Sequence, residues 1–296
     1  MPRILDAEWS SPGRYLRVCL FFKKKMKKKL LMPYKKYRSL EHPTPYTFHA
    51  QKNGQHIFFF GVKHTFNSRD PQYKKITAYW NTFLRITRKK NCVALIEGGE
   101  RAVPKTRKQA IRDGGEMHYV VYLAHKNNIK TISPEPPAHY RYKKFLKKFS
   151  KKEIAYYDFA LVCYQWNRYE KKPNFEKYVN RFLEADKRNS GWRNFDFNLR
   201  NMLKIHKEIF GVEFDKNDSR FFSDILDPIS SKSIINKVSF FEESGLRDEY
   251  IAREIEKFWK KGMNIFIIYG TSHAVMQEAV IRDFVSNSNS NKCSRM

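Results

Sequence analysis

Ile57-Phe58-Phe59-Phe60-Gly61-Val62-Lys63-His64 and Ile265-Phe266-Ile267-Ile268-Tyr269-Gly270-Thr271-Ser272-His273 lie far apart in the chain and read almost alike. Each is a short apolar run, then glycine, two residues and histidine. Continuous runs of branched and aromatic residues at this length predict strands buried on both faces. The glycine lets the backbone turn sharply where the strand ends. In open α/β sheets, ligands bind just beyond the carboxyl ends of the strands. Each histidine is therefore delivered to a place suited to chemistry, provided that folding brings the two loops together.

Working outward, the pattern predicts strands at 56–62, 92–97, 129–133 and 264–269. Helices are expected at 71–88, 106–112, 115–126, 246–259 and 272–284, from apolar residues at helical spacing. Strands separated by helices imply an α/β class with a mostly parallel central sheet flanked by helices. Between about 137 and 244 the character changes to long aromatic helices (151–169, 175–186, 195–210), expected as a large helical insertion before the last strand. The domain reading is a basic, disordered tail at 1–40, one α/β domain at 41–285, and a Ser/Asn-rich disordered tail at 286–296.

The formal net charge is +28, from 58 basic and 30 acidic residues. Nine basic residues and no acid lie between Lys23 and Arg38. Such a field attracts anionic partners, nucleic acid or anionic lipid, through the Lys-rich tail. An AT-rich codon bias would raise lysine content without any partner. The apolar run at 18–22 precedes its lysines and is short, the wrong order and length for a secretory signal. No run approaches the roughly 20 residues a membrane span needs. The four cysteines (Cys19, Cys92, Cys163, Cys293) form no close pair, which excludes a cysteine-built zinc site and points to a reducing, cytoplasmic setting. Met32 is a second candidate start.

The four predicted strands are followed by His64, Glu97, Glu135 and His273. A carboxylate at the end of a buried strand is costly without a partner. Two imidazoles with carboxylates suit a divalent metal (Mn, Co or Zn) held by His64, Glu97 and His273. They equally suit metal-free acid–base hydrolysis. Glu116, opening a helix, and Glu135 are candidate proton carriers. Arg247 opposes the dipole of the helix it opens, so it needs another reason, such as holding a substrate carboxylate or an oxyanion.

With these motifs the chain resembles the Tiki/TraB superfamily, to which the erythromycin-esterase-like and ChaN-like proteins are related. The resemblance spans about 55–285 and rests on Gly61-Val62-Lys63-His64, Glu97-Gly98-Gly99, Arg247-Asp248 and Gly270-Thr271-Ser272-His273. It implies an α/β hydrolase acting on a peptide, ester or lactone, with or without a metal, whose active site is built from those motifs; with Glu116 or Glu135 added as proton carrier from the strand-end reading, the expected catalytic residues are His64, Glu97, Glu116, Glu135, Arg247 and His273. Two alternatives are a non-catalytic haem- or metal-binding protein, as in the ChaN-like members, and a nucleic-acid-associated basic protein.

Overall fold

Residues 30–169 and 171–288 are described by the structure, a computed structural model. Five strands form one sheet: β1 (Tyr46–Lys52), β2 (Gln55–Val62), β3 (Cys92–Ile96), β4 (Lys130–Ile132) and β5 (Asn264–Gly270). Their order is β1-β2-β5-β3-β4. The pairs β2/β5, β5/β3 and β3/β4 are parallel. The α/β class and the mostly parallel sheet agree with expectation.

β1 is an addition that the sequence reading lacks. It runs antiparallel to β2, turning through Asn53 and Gly54, both at positive φ. That backbone twist matches the twist of paired strands, which is why Asn-Gly favours such hairpins.

Side chains of the central strands alternate between two layers. Phe58, Phe60, Val62, Ala94, Ile96, Phe266 and Ile268 pack with residues of α2 (Gln72–Thr87) and α3 (Arg107–Lys126). Here α3 is broken at Gly114-Gly115, so the expected 106–112 and 115–126 segments meet at a kink. Ile57, Phe59, Val93, Leu95, Ile265 and Ile267 face the other way, toward Ile251, Ile255 and Trp259 of the helix Arg247–Lys260 and Val280 and Phe284 of the helix Thr271–Asn287.

Residues 30–40 are not the expected tail. Leu30 and Leu31 pack against the second of these layers, and the Met32 N–H donates to the Met276 carbonyl (3.0 Å). A short helix, α1 (Tyr34–Arg38), follows. The apolar Leu30-Leu31-Met32 step anchors the chain despite the surrounding lysines. The lysine run at 23–29 lies outside the described residues. At the other terminus the last helix reaches Asn287, past the expected boundary.

The helical stretch before the last strand comprises α4 (Ala138–Phe145), α5 (Lys151–Asn167), α6 (Phe175–Ser190), α7 (Leu199–Phe210), α8 (Ser219–Leu226) and α9 (Ile234–Phe241). They build their own core around α5, whose residues Ile154 to Ala160 are all buried. The Ser150 hydroxyl and the Glu153 carboxylate cap α5 reciprocally, satisfying two backbone donors. A π-helical turn (Glu242–Leu246) joins α9 to α10 (Arg247–Lys260), and β5 leads directly into α11 (Thr271–Asn287). Among the described residues no helix is long and apolar enough to cross a membrane.

Close packing between β2 and α11 depends on Gly61. A Cβ there would stand 2.7 Å from the Ala274 Cβ and 3.0 Å from the Thr271 Cα and the Tyr46 carbonyl oxygen. Two of those three neighbours are backbone and cannot yield cheaply. Gly61→Ala is therefore expected to lower unfolding stability by about 1–3 kcal/mol, read from the urea midpoint at unchanged m-value.

Candidate active site

The sheet register sets the site. Val62 pairs with Gly270 and Ile96 with Ile268, so the carboxyl ends of β2, β5 and β3 lie side by side. Glu97 is the first residue beyond β3. Its Oε2 accepts the Gly270 N–H (2.7 Å), satisfying one of the donors left free where α11 begins. The two imidazoles approach the two oxygens of this carboxylate. His64 Nε2 is 3.8 Å from Oε2, and His273 Nε2 is 3.5 Å from Oε1. A Cβ on Gly270 would lie 3.2 Å from His64 Nε2, so the glycine admits the ring.

His64 is the open member, with 51% of its side chain exposed. Its Nδ1 faces the buried Glu116 carboxylate at 3.7 Å. Glu116 is held in turn by the Thr65 N–H (2.6 Å) and Gln72 Nε2 (3.2 Å). Gln72 also exchanges hydrogen bonds with the Lys63 backbone. The contact with Glu116 raises the His64 pKa above its ordinary value; burial opposes this, and Glu97 adds to it.

His273 is buried. Its Nδ1 lies 2.8 Å from Asp248 Oδ1, which also accepts from Gln277 Nε2, one turn along α11. Burial disfavours charge on this ring, but Asp248 outweighs it and the pKa rises to about 10, with Arg247 working against the rise. When the ring is charged, Nε2–H is directed at Glu97; when neutral, Nε2 accepts from Arg247 Nη1 (2.9 Å).

Arg247 is the hub. Its Nε and Nη2 donate to the two oxygens of Glu135 (2.9 and 2.8 Å), and Nη2 also donates to Glu97 Oε1 (2.9 Å). Burial alone would lower the guanidinium pKa, yet Glu135 and Glu97 hold it well above the ordinary value. Burial likewise pushes Glu97 up, but His273, Arg247 and His64 keep it well below the carboxylate range. The dipole argument for Arg247 needs correcting. Arg247 does not open a free helix, because the π-helical turn runs straight into α10. Its position opposite two carboxylates is explained by those ion pairs.

All six expected residues, His64, Glu97, Glu116, Glu135, Arg247 and His273, meet at this edge. Their partnerships differ from the metal reading. Among the described residues no group of three or more His, Cys, Asp and Glu is arranged for a metal ion. Glu97 spends Oε1 on Arg247 and Oε2 on Gly270, and His273 faces Asp248 and Arg247 with its two nitrogens. A guanidinium stands where a cation bridging His64, Glu97 and His273 would need donors, so this donor set does not fit a divalent metal. Glu135, doubly paired to Arg247, positions that arginine. Asp248, Gln72 and Gln277 complete the site without having been singled out as site residues. Asp248 stood in the quoted Arg247-Asp248 motif without a role, and Gln277 was signalled by its one-turn spacing from His273.

No family model, curated protein or solved structure matches the chain.

The His273–Asp248 pair gives a pH signature. A folded pKa raised above about 6.5 contributes stability that is fully present below that value and is lost as pH rises through about 10. Asp248→Asn removes the cause of the rise. The difference in urea midpoint between the native protein and Asp248→Asn is expected to shrink between pH 7 and pH 10.

Proposed function

We propose that the chain is a hydrolase of the Tiki/TraB kind, cleaving an ester, lactone or peptide bond by metal-free general acid–base catalysis. One observation supports this above the others: two histidines from opposite ends of the chain flank the two oxygens of a single carboxylate, Glu97, at 3.8 and 3.5 Å. One imidazole is open and the other is buried.

In this reading His64 Nε2 takes a proton from water, and Glu116 at Nδ1 stabilises the imidazolium that forms. The water oxygen bonds to the substrate carbonyl carbon, and negative charge grows on the carbonyl oxygen. Arg247 carries five N–H donors. Glu135 takes two and Glu97 one, and the neutral form of His273 takes one on Nη1. Nη1 therefore keeps at least one N–H for the oxyanion in either form of His273, in a partly desolvated setting where such a donor is effective. The tetrahedral intermediate then collapses, the bond to the leaving group breaks, and His64 returns its proton to the departing oxygen or nitrogen. His273 and Asp248 are positioning residues that fix Arg247 and Glu97. Phe66, 67% exposed and two residues past His64, offers an apolar contact to the substrate beside the base.

The test is turnover on a panel of p-nitrophenyl esters, lactones and peptides. His64→Ala is expected to fold normally, since the ring is half exposed, and to lose about 10²–10⁴ in kcat. Full activity in His64→Ala on a substrate the native protein turns over would end this reading. His64 must be neutral to act as base, so the raised pKa puts the acid limb of the kcat/KM profile above about pH 6.5. Glu116→Gln removes the charge that favours imidazolium, and the midpoint of that limb is expected to move to lower pH.

A further inference from the structure

Arg101 lies in the loop after β3, four residues beyond Glu97, and it is poorly partnered. Its Nη2 donates to the Glu97 carbonyl oxygen at 3.3 Å. Its Nε is sealed from solvent without an acceptor. Among the described residues no carboxylate pairs with it, in contrast to Arg247 and Arg141, which each hold two. Burial lowers the Arg101 pKa, and the nearby charges of Glu97 and Glu116 only partly oppose this. Those two carboxylates are engaged elsewhere, with Arg247, Gly270, Thr65 and Gln72. The sealed Nε has lost hydration without regaining a hydrogen bond, and the guanidinium's charge has no carboxylate bound to it, so an anion meeting its Nη groups would gain a charge-assisted contact. Its place matters too. A Cβ on Gly98 would stand 3.1 Å from Arg101 Nη2, so the arginine lies over the Glu97-Gly98 step, beside the residue whose carboxylate the two imidazoles flank.

We propose that Arg101 is a specificity-determining residue, binding an anionic group, carboxylate or phosphate, on the substrate and setting the scissile bond over Glu97 and His64. The substrate class is then an anionic ester, lactone or peptide. This inference rests on the hydrolase reading for its catalytic part only, because anion binding at Arg101 requires no turnover.

Two measurements on the full chain at about 0.15 M salt separate the parts. The first is calorimetric binding of phenylacetate and of phenyl phosphate to the native protein, Arg101→Gln and Arg101→Lys, with circular dichroism confirming each fold. At least one anion is expected to bind the native protein and to lose about 10- to 100-fold in affinity in Arg101→Gln. Arg101→Lys should retain an intermediate affinity, since it keeps the charge but not the fork. Which probe responds distinguishes carboxylate from phosphate. Binding of neither anion, or equal binding by the native protein and Arg101→Gln, overturns the subsite. The second is the ratio of kcat/KM for a matched pair of esters, one carrying a carboxylate and one neutral. The native ratio should favour the anionic ester by about tenfold or more and fall toward unity in Arg101→Gln. A native ratio near unity, or one that Arg101→Gln leaves unchanged, overturns the assignment to substrate recognition. If phenylacetate or phenyl phosphate binds through Arg101 while no ester, lactone or peptide of the panel is cleaved, the hydrolase reading fails and the anion site stands.

Discussion

One guanidinium ties the carboxyl edge of the sheet together. Glu97 follows β3, Glu135 follows β4 and His273 belongs to the first turn of α11, and Arg247 contacts all three. Without it two carboxylates would face each other in a partly dry setting, an arrangement that forces one of them to protonate. With it, Glu97 stays charged and both of its oxygens have defined partners. Glu97 can then act as a fixed rail between two imidazoles. A buried pair of this sort adds little stability compared with well-packed apolar residues. Its retention at the strand ends therefore favours a role in positioning.

The approach of Arg247 is set outside the sheet. The π-helical turn before it contains Gly245 at φ 138°, and such turns often mark functional positions. Glu242, in the same turn, pairs with Arg141 of α4, which also holds Asp158 of α5. The helical insertion is thus joined to the carboxyl edge of the sheet through a second ion-pair cluster. Burial raises the Glu242 pKa while Arg141 opposes it, so that carboxylate depends on its partner as Glu97 depends on Arg247.

Strand ends were legible because they obey a short-range rule. Apolar runs stop where polar residues begin, and parallel strands present those stops on one edge. His64, Glu97, Glu135 and His273 follow from that rule alone. The partnerships did not follow, since they are tertiary. Arg247 reaches Glu135 and Glu97 from 112 and 150 residues away, and no local pattern says which cation fills a gap between acids. β1 was overlooked for a different reason. Its Tyr46, Phe48 and Ala50 alternate with polar residues over a short span beside Pro43 and Pro45, and the Asn53-Gly54 signal lay between that weak run and a strong one. Leu30 and Leu31 were hidden by charge, although two leucines amid lysines are enough to anchor a chain to an apolar layer.

The strand order has a consequence for synthesis. β5 lies between β2 and β3, and His56 meets Asn264 across 208 residues of chain. Until those last residues leave the ribosome, β2 and β3 each expose an unpaired inner edge, and neither can close onto the other without excluding the strand that belongs there. Nascent chains carry this gap through translation of the whole helical insertion. Such open apolar edges recruit other strands. The completion of the fold and the assembly of the two imidazoles are thus one late event, and a ribosome that stops short of β5 releases a product with neither.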